Sequence, residues 1–246
     1  NEINKANKEC RINDKNNPAI RIAAMLYTNY INNKEIVSIT PKNQKDFVYD
    51  WLEQLISESA GKEEKGLLPI KSSNISSMIK FTNKNKISEN SVEISIEYNE
   101  KIFFTFQKLM YSISIFCSMI NVQPFDQPNV ESTKIRTKNL LEQLNDNKKI
   151  FDKYSEKNPY QLLRDSNSDL MSFLIFSSNL DNMMSEKLVE QIKSFYGKNK
   201  KVLIFFGPSY LHSTGQLLKG SFKNINNFVI YLHGNEDLNI PNSLYT

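Results

Sequence analysis

Cysteine is nearly absent from this chain. Its two cysteines in 246 residues, Cys10 and Cys117, stand far apart and outside any Cys-x-x-Cys or Cys/His spacing. That excludes a disulfide framework and a thiolate zinc site, and it fits a reducing, cytoplasmic setting. Long hydrophobic runs are also lacking. The most apolar stretch, "SISIFCSMI" from Ser112 to Ile120, is nine residues with serines inside it, too short for the roughly 20 residues that cross a bilayer, and no signal peptide precedes it. Nor does charge of one sign collect in a block: 24% of residues are charged and the net charge of +4 is spread along the chain, so nothing speaks for nucleic acid. Glycine occurs only seven times and histidine twice.

What is present is enough apolar residue, 39%, to bury a core as one large or two modest domains. Residues 1–17 are polar and asparagine-rich without a sustained period and read as a frayed lead-in. From Pro18 the residues Ile20, Ala23, Ala24, Tyr27 and Ile31 recur at spacings of 3 and 4, one face of an amphipathic helix. "EIVSIT" reads as a buried strand. Thr40 and Pro41 form a cap and first-turn proline, opening a helix that carries Phe47, Val48, Trp51, Leu52, Leu55 and Ile56 on one side and breaks at "SAGKEEKG". "GLLPI", "SSMIKFT" and "SVEISIEY" read as strands, followed by a helix over 100–120 and another ending near Leu144. Strands alternating with helices predict an α/β domain over 18–155, a parallel sheet flanked by helices. A polar connector over 145–160 leads to a smaller α/β segment, 156–246, built from "SFLIFSS", a helix over 185–195, "KKVLIFF" and "NFVIYLHG".

Three places carry candidate chemistry. In "QPFDQPNVESTK", Pro124 and Pro128 fix two φ angles around a short turn, and Gln127 and Lys134 lie seven residues apart, about two helical turns, so a helix starting there aims both at one ligand. In "WLEQLISESAGKEEKG", Glu58 ends a helix beside Leu55 and Ile56, which would limit its hydration and tune it as a general base; Gly61 turns the chain and Lys62 offers a cation. In "IFFGPSYLHSTGQLLKG", a strand delivers His212, the proton shuttle suited to neutral pH; His233, at a strand end, reads as a surface residue. Each has a structural alternative: a proline-framed cap with a solvated lysine, a solvated helix-end glutamate, a packing histidine.

Taken together, "ESAGKEEKGLLP", "QPFDQPNVESTK" and "GPSYLHSTGQLLKG" resemble motifs of glucose-6-phosphate isomerase, most closely the isomerase half of the fused transaldolase/glucose-6-phosphate isomerase proteins of bacteria. The resemblance runs from about Asn17 to Tyr245, with the "LHSTGQ" segment last, and "FDQP.VE..K" is its most specific part. It implies a sugar-isomerase fold and interconversion of glucose 6-phosphate and fructose 6-phosphate through an enediol(ate) in glycolysis and gluconeogenesis, without metal or organic cofactor. It also implies a cytoplasmic homodimer that binds sugar phosphate, with neither nucleic acid nor membrane as partner. By the same resemblance Glu58 is the base that moves a proton between C2 and C1, Lys134 helps open the ring and stabilises oxygen charge, Gln127 contacts substrate, and His212 is the acid/base partner in ring opening.

The chain departs from that pattern in several places. A "GGRFS"-like segment with its arginine and the Ser/Thr-rich phosphate loops have no counterpart, so a preceding sugar-isomerase domain is expected outside these residues, and the chain reads as a carboxy-terminal piece, with or without a transaldolase half before it. Ser209 stands for the arginine of "GPRFLHSTGQ", Ser221 replaces a glycine, "FTFQKLMYS" stands where "WE.A" is usual, and a final helix after "PNSLYT" is missing. The alternative expectation is therefore a sugar-phosphate-binding or structural module without turnover.

Overall fold

The computed structural model describes residues 1–40, 47–71, 79–82, 92–96, 101–146, 161, 168, 170–177, 187–192, 194, 201–207, 210, 214–220 and 225–232. The chain is α/β and divides into two compact units: Asn1–Ile150 with His212–Phe222, and Phe151–Leu211 with Lys223–Thr246. From His212 onward the "LHSTGQ" stretch belongs with the first unit, and the helix that ends it packs on the helices that carry the other motifs.

The lead-in is a helix, α1 (Glu2–Cys10), in place of the frayed start that its polar composition suggested. Its Ala6 and Cys10 are buried, and it packs along α4 (Ile102–Met119). Polar groups complete the junction. Arg11 Nε donates to Tyr111 Oη at 2.8 Å, which donates in turn to Asn7 Oδ1 at 3.1 Å. Glu2 Oε2 accepts from the backbone N–H of Phe103 (3.1 Å) and Phe104 (3.3 Å). Lys101, at the N-cap of α4, supplies no side-chain oxygen, so a carboxylate from another helix meets the exposed donors and the positive dipole end.

Asn17 is the hinge between α1 and α2 (Pro18–Ile31). Its Oδ1 accepts from Ala19 and Ile20 N–H at 2.8 and 3.2 Å, while its Nδ2 donates to Cys10 and Ile12 carbonyls, both at 2.8 Å. One buried side chain therefore caps one helix and closes the other, and Pro18 follows at the first helical position, where no N–H is needed. The buried face of α2 is Ala19, Ile22, Ala23, Leu26 and Asn29. The expected face containing Ile20, Ala24 and Ile31 is rotated from it: Ala24 and Ile31 are exposed, because α4 and the sheet fix which side of an almost uniformly apolar helix is inside.

The first sheet contains β1 (Ile36–Ile39), β2 (Leu68–Lys71), β3 (Ile79–Thr82) and β4 (Val92–Ser95) in the order β2-β1-β3-β4, every pairing parallel. Chain direction links β1 to β2 through α3 (Phe47–Ala60), which packs on β2. The Thr40–Pro41 opening expected for α3 lies partly outside the described residues. Val37, Ile39, Tyr49, Leu52, Ile56, Phe81, Leu109, Ile113 and Phe116 share one core.

α4 corrects a second expectation. As one continuous helix of 18 residues with mean hydropathy 1.3, it has the length and composition of a membrane-crossing helix, although its longest unbroken apolar run is short. Its contacts are with α1, α2 and α3, and Leu109, Ile113, Phe116 and Cys117 enter the shared core. Of the helix, 33% is buried in the unit, and those side chains account for part of its apolarity.

The second unit has its own parallel sheet, β6-β5-β7, formed by β5 (Leu170–Ser177), β6 (Lys201–Phe206) and β7 (Ile225–Leu232). Central β5 reads as a continuous apolar run, as a strand covered on both faces does. Phe173 stacks on Phe228 at 5.3 Å between centroids, and the one buried hydroxyl of β5, on Ser172, donates to Asn227 Oδ1. Gly207 follows β6 where a Cβ would lie 2.3 Å from the Phe176 ring, so a larger residue there would have to displace that ring.

Candidate functional site

Glu58 lies in the last turn of α3. Its two carboxylate oxygens accept from two amides: Oε1 from Gln54 Nε2 and Oε2 from Gln127 Nε2, each at 3.2 Å. The expected apolar surround is not what meets the carboxylate. Ile56 is buried in the core and Leu55 packs against it, so both are spent on the inner side of α3, and the half-buried Glu58 is oriented by hydrogen bonds.

Gln127 is 69 residues from Glu58 in sequence. It stands just before α5 (Pro128–Asp146), where its carbonyl accepts from Val130 and Glu131 N–H at 3.2 and 3.3 Å. It is therefore a cap residue and not a member of the helix, and its side chain turns back to α3. That separates it from Lys134. Lys134 Nζ pairs with Glu131 Oε1 at 2.9 Å, and both side chains are 67% exposed. Helical spacing predicts that Gln127 and Lys134 converge; in the structure the Gln127 side chain bonds Glu58 and the Lys134 side chain bonds Glu131. Lys134 lines a groove of about 440 Å³ with Thr133, Thr137, Lys138, Leu141 and Glu142. The volume is that of a small-molecule site, but every lining residue comes from α5, so no second wall faces it among the described residues.

The residue that sequence reasoning undervalued is Lys62. Its side chain is 1% exposed, and Nζ donates to the Gln123 carbonyl at 2.7 Å, to Asp126 Oδ1 at 2.9 Å and to the Asp126 carbonyl. Between α3 and β2, Glu63 and Glu64 both adopt positive φ, 54° and 61°, a conformation that costs non-glycine residues roughly 1–2 kcal/mol each. Lys65 N–H donates to the Lys62 carbonyl across this turn at 2.9 Å.

The third motif reaches the same place. Helix α6 (Thr214–Gly220) packs on α3 and α5. Glu64 N–H donates to the Gly220 carbonyl at 2.6 Å, and Gln216 Nε2 reaches the Gly61 carbonyl at 3.4 Å. Gly61 is held close to backbone, and Gly220 to a side-chain amide. A Cβ on Gly61 would stand 2.5 Å from the Ser57 carbonyl and 2.8 Å from Leu217 Cα, and one on Gly220 would stand 1.9 Å from Asn129 Nδ2. His212 lies outside the described residues, two positions before α6; His233, Ser209 and Ser221 lie outside them as well. Among the described residues, Ser57 Oγ, Thr214 Oγ1, Gln216 Oε1 and Asn129 Nδ2 are buried with no hydrogen-bond partner, so the described part of this junction is rich in unsatisfied polar atoms.

Cys117 is buried, and burial pushes its thiol up to about 12, partly offset by the charge of Lys62. It is an inert core thiol. Among the described residues no cluster of His, Cys, Asp and Glu is suited to a metal ion.

Parallel sheets of this kind present ligands at the carboxyl ends of their strands, where strand order reverses. Here that is the end of β1, between β2 and β3. Glu58 and Gln127 instead lie near the amino end of β2, because α3 runs back before β2 begins. The site is thus defined by its side chains and not by the sheet. Compared with known families, curated proteins and solved structures, the chain finds no match.

Proposed function

We propose that the chain is the carboxy-terminal part of a glucose-6-phosphate isomerase. Glu58 is the base that carries a proton between C2 and C1 of the open-chain sugar phosphate, and Gln127 contacts the substrate beside it. The observation that carries this reading is the Glu58–Gln127 hydrogen bond. Two motifs distant in sequence, picked out for one reaction, put their polar residues in contact, and α6, the second half of the third motif, packs against the helices of both. Aldose–ketose isomerisation needs one carboxylate to remove a carbon-bound proton and return it to the adjacent carbon, and donors to hold the enediol(ate) oxygens. An amide on the base leaves a donor beside the proton's path.

In this reading His212 and Lys134 act on ring opening, and Lys134 must leave Glu131 to do so. A sugar-isomerase domain outside these residues supplies the arginine and the phosphate loops. The parent works as a cytoplasmic homodimer, with or without a transaldolase half, and uses no cofactor.

The test is conversion of fructose 6-phosphate to glucose 6-phosphate by the full-length polypeptide and its Glu58→Gln form. A loss of roughly 10²–10⁴-fold is expected for removing a general base, and equal rates would end the reading. The isolated 246 residues are expected to be nearly inactive. A second reading, a sugar-phosphate-binding or structural module without turnover, is favoured by the exposed Lys134–Glu131 pair, in which that lysine is engaged by a neighbour on its own helix. Calorimetric titration with fructose 6-phosphate separates the two: binding without turnover supports the module.

A further inference from the structure

Lys62 takes no part in the chemistry proposed above, yet it is the most completely enclosed cation of the site. A lysine is almost never fully buried unless it is paired, and an ammonium has three protons to place. At Lys62 all three find acceptors: the Gln123 carbonyl, the Asp126 carbonyl and the Asp126 carboxylate.

Two of those acceptors are backbone atoms of the turn that carries Gln127, and one of them, the Asp126 carbonyl, belongs to the peptide bond leading into Gln127. Lys62 itself is four residues beyond Glu58 in the chain. Glu58, the backbone to Lys62, the Asp126 peptide and the Gln127 side chain therefore form a closed ring, sealed by the Gln127–Glu58 hydrogen bond. Pro124 and Pro128 limit φ at two points of the turn, but a constrained turn must still be held at the right distance from α3. Among the described contacts, the one that reaches from the α3 end to the peptide of Gln127 is Lys62.

We propose that Lys62 is a positioning residue of this site: by gripping the 123–126 turn it sets the Gln127 amide against the Glu58 carboxylate. The inference rests on the isomerase reading for its kinetic consequence, but its geometric content stands apart from turnover. Misplacing a substrate-orienting group by about 1 Å costs on the order of 10²-fold in rate, whereas a lysine that served only to tie down a surface turn would leave the chemical step alone.

The test uses the full-length polypeptide, with Lys62→Met and Asp126→Ala. Asp126→Ala removes only the half-exposed carboxylate and keeps both backbone acceptors of Lys62, so it is the milder way to loosen the same turn if Lys62→Met does not fold. For Lys62→Met, kcat is expected to fall roughly 30–100-fold with KM within about threefold, with a smaller fall for Asp126→Ala. The independent readout is the Gln127 side-chain amide signal in nuclear magnetic resonance. It is expected to move in both variants towards its position in Glu58→Ala, where the hydrogen bond is gone. An unmoved Gln127 signal in the folded variants overturns the proposal, as does an unchanged kcat in an active enzyme. Should the wild-type polypeptide not isomerise at all, the function fails while the amide signal still decides the role of Lys62.

Discussion

Two lysines, each drawn from a candidate motif, have opposite surroundings. Lys62 is 1% exposed and holds three acceptors from a turn more than 60 residues away; Lys134 is 67% exposed and holds one glutamate three residues away on its own helix. A charge taken out of water persists only where its donors are all met, so Lys62 is built into the fold. Lys134 remains hydrated and free to exchange partners. The difference separates a group that shapes the site from one that would have to be recruited to it.

The largest effect expected from this contrast is on stability. Lys62→Met strands two backbone carbonyls that the lysine now satisfies, and should cost about 2–3 kcal/mol in urea unfolding. Lys134→Met should stay within about 0.5 kcal/mol, as exposed pairs do. Equal costs for the two variants would break the comparison.

Gly61→Ala asks whether the enclosure around Lys62 is tight. Its new Cβ would meet Ser57 O and Leu217 Cα at 2.5 and 2.8 Å, both backbone atoms that cannot swing aside, so a loss of roughly 1–3 kcal/mol is expected from the same unfolding measurement. A neutral Gly61→Ala would mean that α6 does not press on the end of α3.

A subtler effect concerns the reach of each charge. Lys62 acts on Cys117, whose thiol burial holds at about 12 against an ordinary 9.0. The folded state therefore keeps this proton more tightly than the unfolded chain. The associated stability is fully present below about pH 9 and is lost as pH rises towards 12. Thiol-disulfide reagents at pH 8 should leave Cys117 unmodified until the chain unfolds. Rapid modification of the native protein would show that the α4 side of this region is open.

Much of the framework was legible in the sequence. "EIVSIT", "GLLPI" and the apolar run of β5 are strands because their residues suit buried parallel pairing, and α2 opens at Asn17–Pro18 because that pair supplies a cap and a preset φ. What escaped depends on partners far along the chain. α1 looked frayed because its polar residues are satisfied by α4, about 100 residues on. The inward face of α2 was misread because a helix apolar on most sides is oriented only by what packs on it.

At the candidate site, Glu58 and Gln127 were singled out from their motifs, and the two side chains are hydrogen-bonded. Lys62 passed as a nearby cation because its main acceptors are backbone carbonyls, which leave no mark in side-chain identity. The Gln127–Lys134 spacing does not decide which partners those side chains take: Gln127 bonds Glu58 and Lys134 bonds Glu131.

The most direct measurement is exchange of carbon-bound hydrogen in deuterated water, followed by proton resonance of fructose 6-phosphate with the full-length polypeptide. Wild type should place solvent deuterium at C1 of fructose 6-phosphate and C2 of glucose 6-phosphate, and Glu58→Gln should not, since the proposed route of the proton is through that carboxylate. Equal exchange by the two proteins, or none by either, would contradict the account.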